Sequence, residues 1–311
     1  MARTSSTSPP PAAAPPGARP GGRRPTAERP PRQRRRTSAA MLLIAPSIVF
    51  MTLLFGWPMV TGILQAFGGP EGLTGDNFAR MAADPYFWPA VRNTLLLIVV
   101  MIPLQFVLAL AMALLIRAKP KFSSVYFYIW AIPLAVSDLA AGLVWLVVFT
   151  DRGYLNSLLA NLGLEPVSWL AYDNYPSMFM AVLVAEVWRA TSLVFVIVVA
   201  GLQSIPKDYE EAAGVFGAGF WRRLWTVTLP LLRPSLQTAL ILRTILAFQT
   251  FAVALALTGQ NFPLIVGETY RWYTGLQDAN VASALALVVM VVSMITAVGY
   301  LRLLRDQTEA S

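Results

Sequence analysis

Along this chain the apolar residues come in long runs. They show neither the alternation of a half-buried strand nor the single stripe of a surface helix. Six runs are long enough to cross a bilayer core, which takes about 20 apolar residues in a helix. They fall at roughly 39–65, 93–116, 125–149, 177–201, 236–257 and 282–301. The pattern predicts an all-α integral membrane protein with six transmembrane helices. Pro46, Pro58, Pro103 and Pro133 lie inside these runs, where neighbouring helices can satisfy the backbone groups a proline frees. Two connections are long. Segment 150–176 carries Trp169, Tyr172 and Tyr175, as an interfacial aromatic belt would. Segment 202–235 exceeds what a simple connection needs, and long ordered loops usually carry function.

The first 38 residues break the pattern. They are rich in Pro, Ala, Gly, Ser and Thr and hold nine arginines against one acid, Glu28. Such a segment buries too little apolar surface to offset chain entropy, which predicts a disordered arm over 1–38. The organisation expected is that arm, a six-helix transmembrane domain over 39–305 and a short tail over 306–311. Arg34, Arg35 and Arg36 abut the first run and read as a juxtamembrane anchor for anionic lipid. A nucleic-acid partner is not expected. A cleaved signal fits poorly, because the apolar run continues past Phe55 without a small-x-small site. With the N-terminus in the cytoplasm, inner segments hold eighteen Lys and Arg and outer loops four. That bias predicts both termini cytoplasmic.

Composition narrows the chemistry. Of 311 residues 56% are hydrophobic and 13% charged, with a mean hydropathy of +0.58; a soluble domain carries about 25% charged residues. The absence of Cys and His excludes disulfides, thiol nucleophiles, imidazole acid–base catalysis and the usual zinc sites. No metal site, bound cofactor or catalytic residue is expected. Lys119, Lys121 and Lys207 are the three lysines and none follows a glycine, so no phosphate-binding loop of the G-x-x-x-x-G-K type exists. A membrane enzyme would need a convergent catalytic set, and no paired-acid motif lies within a span. A transporter acting alone would show an internal repeat, and none is evident.

The inner loop carries the most informative motif. Pro206 is placed to open a helix, and Asp208, Glu210 and Glu211 suit its positive end. Ala212 and Ala213 keep the next turn slim, and Gly217 permits a sharp corner. A second amphipathic piece, Phe220–Trp225, follows, and Leu229-Pro230 is expected to close it before the fifth span. Together these form a knob shaped for another protein's groove.

The order Glu211-Ala212-Ala213, Gly217, Val227, Leu229-Pro230 resembles the signature loop of permease subunits of binding-protein-dependent bacterial ABC importers. Further stretches resemble the carbohydrate branch, similar to the maltose-type F-subunit permease: Ile132-Pro133, Gly142-Leu143-Val144-Trp145, Gly153-Tyr154-Leu155-Asn156, Glu186-Val187-Trp188-Arg189 and Leu257-Thr258-Gly259. The likeness covers about residues 40–305. Phe216 stands where the family often has Asp before the glycine, and Gln260-Asn261-Phe262-Pro263 replaces a frequent Gly-Gly-Pro run. The resemblance implies the type I ABC importer permease fold in a bacterial inner membrane. It implies a second permease subunit, a dimer of ATPase subunits that uses ATP and magnesium, and an extracytoplasmic sugar-binding protein. The loop would dock on the ATPase as a coupling helix, with Glu211 paired to a basic residue there.

Charges inside a span cost about 2.5–3.5 kcal/mol each on insertion scales and mark function by default. Four occur: Asp138, Glu186, Arg189 and Arg243. Counting about 1.5 Å per residue puts Asp138, Glu186, Arg189 and Gln249 near mid-bilayer. The same count puts Arg243 lower, where it would snorkel or line an inner vestibule. A sugar needs carboxylates and amides for its hydroxyls and aromatic faces for its ring. Asp138, Trp145, Glu186, Trp188, Arg189 and Gln249 supply them and are the candidate substrate path. Blander roles stay open: an i,i+3 pair for Glu186 and Arg189, an interhelical hydrogen bond for Asp138, packing for the tryptophans. A polyol or glycerol phosphate is the alternative cargo, although a phosphate ester would want clustered cations.

Overall fold

The computed structural model describes residues 34–70 and 72–305. The tail expected at 306–311 and the arm up to residue 33 lie outside the described residues. The chain divides into two units, 1–54 and 55–311. Within the first, α1 (Arg34–Met51) is helical from Arg34, inside the stretch expected to be disordered through residue 38.

The second unit is helical almost throughout. After α2 (Trp57–Ala66), a two-residue antiparallel pair, Gly68–Gly69 with Gly72–Leu73, leads into the short α3 (Asp76–Ala83). There follow α4 (Phe87–Arg117), α5 (Ser123–Ala131), α6 (Asp138–Phe149), α7 (Tyr154–Asn161) and α8 (Tyr175–Ser204). The chain continues through α9 (Asp208–Val215), α10 (Phe220–Arg223), α11 (Leu229–Phe248), α12 (Ala252–Thr258), α13 (Ile265–Tyr270) and α14 (Ala279–Arg305). Five helical segments are long and apolar enough to cross a membrane: Leu43–Ala66, Phe87–Arg117, Tyr175–Ser204, Phe220–Phe248 and Ala279–Arg302. A bent pair, Ser123–Ala135 with Asp138–Asn161 at 106°, brings the number to six when it is counted as one broken span.

Helix α8 is the centre of the unit. Met178, Ala181, Val182, Ala185, Val194, Phe195 and Val198 are fully buried, and α4, α11, α6 and α12 pack on it. Close packing comes from small residues, as it does between helices in lipid. A Cβ on Gly201 would meet the Leu232 side chain of α11 at 2.8 Å, and Ala109 and Ala113 face α8 without exposure. The outer face is apolar instead of polar: Leu95, Val99, Val107, Met294 and Ile295 are exposed, as lipid contact requires.

Two spans are interrupted, and local chemistry explains the first. Pro133 sits in a 3₁₀ turn, Ile132–Ala135, and its ring prevents α5 from running on. Val136 is extended, and the Ser137 hydroxyl then caps α6 by accepting from the Ala140 N–H at 3.3 Å. The fifth span departs from the expectation of 236–257. The helix begins at Phe220, runs through a π-helical turn at Leu224–Thr228 into α11 and stops at Phe248. Pro230 does not close the preceding piece. It lies just after the π-helical turn Leu224–Thr228, and the helix runs on past it. The chain re-enters a helix only at Ala252, after Phe251 takes φ −153°, ψ −59°. The two second halves, α6 and α12, lie together. A Cβ on Gly142 would stand 2.5 Å from that of Ala256 and 2.9 Å from the Val253 carbonyl.

Candidate functional site

The four intramembrane charges form one chain of contacts. Asp138 opens α6 and holds Arg189 of α8 at 2.8 Å; Arg189 lies 3.8 Å from Glu186 one turn earlier. The same Glu186 oxygen lies 3.4 Å from Arg243 of α11. Arg243 donates from Nε to the Gln105 amide oxygen of α4 at 2.7 Å, and Gln105 donates to the Glu186 carbonyl at 3.2 Å. Two anions and two cations cancel. Burial runs in one direction along the series: Glu186 and Arg243 side chains are 1% exposed, Arg189 21% and Asp138 46%.

One expectation changes accordingly. Arg243 neither snorkels nor lines a vestibule, because its helix starts sixteen residues before 236, about 24 Å of extra length, and it meets Glu186 in the interior. Asp138, for which an interhelical hydrogen bond was one of the open roles, contacts Arg189 of α8. Gln105 was not singled out from the sequence; an amide in a 31-residue apolar helix was the available signal.

The other path candidates divide. Trp145 is half-buried, stacked on Phe149 at 5.5 Å and edge-on to the exposed Trp188 at 6.0 Å. Trp145 Nε1, Arg189 Nε and Glu186 Oε1 are buried without a hydrogen-bond partner. Gln249 is not brought into the charge chain. It stands where α11 stops and lines an open groove of about 470 Å³ with Ser293, Met290 and Met294 of α14.

The loop site is built around α9. Glu210 and Glu211 N–H groups donate to the Lys207 carbonyl, and Asp208, Glu210 and Glu211 occupy the first turn. The helix buries nothing: Asp208, Glu211 and Ala212 are exposed and Ala213 half-buried. Gly217 makes the corner at φ +75°, with nothing within 4 Å of where a Cβ would be; backbone conformation, not space, asks for glycine there. Val215 and Phe216 are 86% and 87% exposed, and Trp221 and Trp225 also face outward.

Glu210 differs from its neighbours. It meets Arg117 Nε at 2.9 Å, and Arg117, the last residue of α4, also donates to the Leu202 and Ile205 carbonyls that end α8. This joint ties α9 to two spans. Sequence reasoning used Arg117 only as a loop charge, since nothing local names a partner 93 residues on.

On the other side of the bundle, Asn156 organises the 150–176 connection. It donates to the Asp151 and Val167 carbonyls and accepts from the Val167 N–H and Trp169 Nε1, all within 3.0 Å. Trp169 is therefore half-buried, and Tyr175 donates to Asn93; of the three aromatics expected in a belt only Tyr172 is exposed. Arg271 bridges Asp84 at 2.8 Å and Glu268 at 2.6 Å. Burial holds the Glu268 carboxyl above its ordinary pKa, with Arg271 opposing.

The fold and these sites define an all-α, multi-pass membrane protein of the permease type, a helical bundle with the short, unburied helix α9 beside it. Residues 32–307 match the model of the binding-protein-dependent transport system inner membrane component family, and the chain belongs to that family. It is a permease subunit of an ABC importer and not an enzyme. It is 34% identical to the sulfoquinovosyl glycerol transport system permease protein SmoG of Agrobacterium fabrum, over 86% of this chain and 91% of that protein. It is 32% identical to the trehalose/maltose transport system permease protein MalF of Thermococcus litoralis, over 73% and 77%. Identity to the sn-glycerol-3-phosphate transport system permease protein UgpA of Agrobacterium fabrum is 31%, over 82% and 90%. A bacterial ABC transporter involved in the import of the acidic polysaccharide alginate shares the fold, with a TM-score of 0.78 at 22% identity over 88% of this chain and 96% of that one.

Proposed function

We propose that this chain is one of two permease subunits that pass a mono- or disaccharide from an extracytoplasmic binding protein into the cytoplasm. A pair of ATPase subunits, hydrolysing ATP with magnesium, drives it through α9. Both termini and α9 face the cytoplasm in this reading, as the Lys and Arg bias favours.

The observation that carries the mechanical part is the contrast between Glu210 and Glu211. Glu210 is engaged with Arg117 at 2.9 Å and fixes α9 to the ends of α4 and α8. Glu211 is exposed and free to pair with a cation of the ATPase. A push on α9 therefore enters α4 and α8 through the Arg117 joint, and enters α11 along the helix that begins at Phe220. Asp208, Ala212, Ala213 and Gly217 shape the knob.

For the cargo, the balance of the mid-membrane charges supports a neutral polyhydroxyl solute. Arg189 and Arg243 face Asp138 and Glu186, so no uncompensated cation is left for a phosphate dianion, which would prefer bidentate arginine. Asp138 and Arg189 offer an acceptor and donors at the accessible end, Trp145 and Trp188 offer ring faces, and Gln249 offers an amide across the bundle. Glu186 acts behind them by holding Arg189. Glycerol phosphate is the second reading, favoured by the likeness to UgpA.

The test is the reconstituted importer with its binding protein, assayed for ATPase stimulation across mono- and disaccharides and glycerol 3-phosphate. Stimulation by sugars is expected; stimulation by glycerol 3-phosphate alone overturns the cargo reading. Glu211→Lys is expected to abolish stimulation with normal membrane levels of the chain, and normal coupling in that variant refutes the docking role.

A further inference from the structure

A second cavity lies away from the charge chain, where three helices end on the side of α9. It measures about 550 Å³ and opens between the last turn of α4, the first turn of α5 and the last turn of α8. Its rim is cationic and hydroxylic: Lys119, Lys207, Ser123 and Ser124. Its floor is apolar: Ala113, Phe127, Val199 and Leu202, continuous with the buried cluster between α4 and α8. Among the described residues neither lysine makes an ion pair, whereas the Arg117 that also lines the wall is engaged with Glu210. The rim thus keeps two uncompensated positive charges.

The backbone holds these groups in place. The connection from α4 to α5 has Lys119 at φ +51° and Phe122 at φ +66°, conformations that cost a non-glycine residue about 1–2 kcal/mol each. Lys119 N–H donates to the Ile116 carbonyl and Ser123 N–H to that of Pro120. The lysine stands beside the first turn of α5, whose positive dipole end favours an anion, while the Ser123, Val125 and Tyr126 N–H groups donate to the Pro120 and Phe122 carbonyls.

We propose that this cavity is a binding site for an anionic phospholipid of the leaflet on the α9 side. The phosphate sits between Lys119, Lys207 and the two serines, and an acyl chain lies along Phe127 and Val199. The choice of lipid over a soluble phosphate follows from the floor. A free phosphate gains nothing from an apolar floor, and Tyr128, which lines the cavity, is 68% exposed, with the next residue of α5, Ile129, 52% exposed. Basic pockets at span ends are suited to such headgroups. Lys207 also caps α9 through its carbonyl, so an occupied site stiffens the first turn of the docking helix.

The test uses the full chain purified in a mild detergent and titrated with phosphatidylglycerol, with phosphatidylcholine of the same acyl chains, and with inorganic phosphate. Bound lipid is read by native mass spectrometry. One phosphatidylglycerol per chain is expected to be retained in preference to phosphatidylcholine. Lys119→Gln with Lys207→Gln is expected to weaken it about thirty-fold, five-fold or so per lysine. Arg222→Gln with Arg233→Gln removes the same charge elsewhere in the 202–235 segment and is expected to leave binding within about two-fold. Equal retention of both lipids overturns the proposal, as does an equal loss in the two double variants. Displacement of phosphatidylglycerol by millimolar inorganic phosphate assigns the cavity to a soluble anion and overturns it too. If the lysine pair destabilises the chain, the two single variants give the same reading separately.

Discussion

Breaking the Glu186–Arg243 contact is the sharpest probe of the interior. At 3.4 Å and an effective dielectric constant of about 20, the gross attraction is about 5 kcal/mol. Desolvation of two side chains that are each 1% exposed offsets much of that, so the pair adds little net stability while intact. Removing one partner is different. Arg243→Met leaves Glu186 with Arg189 alone, at 3.8 Å, and strands the Gln105 oxygen that accepted from Nε. Glu186→Leu leaves a buried guanidinium with one amide oxygen and the Met101 sulfur at 3.4 Å. Each single variant should lose about 3–5 kcal/mol, whereas the double variant, apolar at both positions, should lose about 0–2 kcal/mol. The coupling between the positions is then several kcal/mol. Reversible unfolding of the purified chain in mixed micelles, all four corners of the cycle measured together, reads it directly. Single losses that simply add, within about 0.5 kcal/mol, would refute the claim that the two groups form one buried unit.

Two further outcomes follow from packing and hydrogen bonding. Gly142→Ala forces a methyl against Ala256 and the Val253 carbonyl and should destabilise by about 1–3 kcal/mol; adding Ala256→Gly should recover part of it, and no recovery in the same unfolding assay would mean that the α6–α12 approach is not limiting. Asn156→Ala removes four hydrogen bonds from a residue that is 3% exposed and strands Val167 and Trp169, at about 1–3 kcal/mol per unsatisfied group; amide exchange should accelerate over 150–170 and nowhere near α9, and uniform acceleration would contradict a local role.

What could be read from the sequence was whatever a single helix decides for itself. The six apolar runs correspond to five long helices and one bent pair, because span length and composition need no neighbour. The α9 turn and the Gly217 corner were equally legible, since acidic first turns and left-handed glycines are local chemistry. The start of the fifth span was not. Trp221-Arg222-Arg223 interrupts the apolar run, but charges end immersion in lipid without ending a helix. The two breaks differ in the same way. Pro133 and Ser137 announce the one after α5, while Gln249-Thr250-Phe251 contains no helix breaker, so packing of α12 against α6 sets that one. Partners across spans were invisible for a plainer reason. A period of 3.6 residues says which face of a helix is polar, but not which other helix meets it. Arg117 with Glu210 and Gln105 with Arg243 are pairings of that kind.

The direction of burial along the charge chain bears on how such a bundle moves a solute. Its innermost members, Glu186 and Arg243, are closed off and tie α4, α8 and α11 together through Gln105. Its outermost member, Asp138, is nearly half-exposed and sits directly after the interruption of the third span. On α11 the helix stops at Phe248, five residues or about 7 Å beyond Arg243. The fixed end of the chain is thus anchored to helices that also carry α9, through Arg117 and through Phe220. Its free end is attached to α6, a half-span held to the rest by Arg189 and by the Gly142 contact with α12. A displacement delivered at α9 moves the first group of helices as a body. It reaches α6 through packing on α8 and α12 and through one ion pair of 2.8 Å, the contact in this chain that water or a hydroxylated solute can most readily replace. In the function proposed above, exchange of the Arg189–Asp138 contact for contacts to a solute is the step that links cargo to α9, and it asks for no net charge on the cargo.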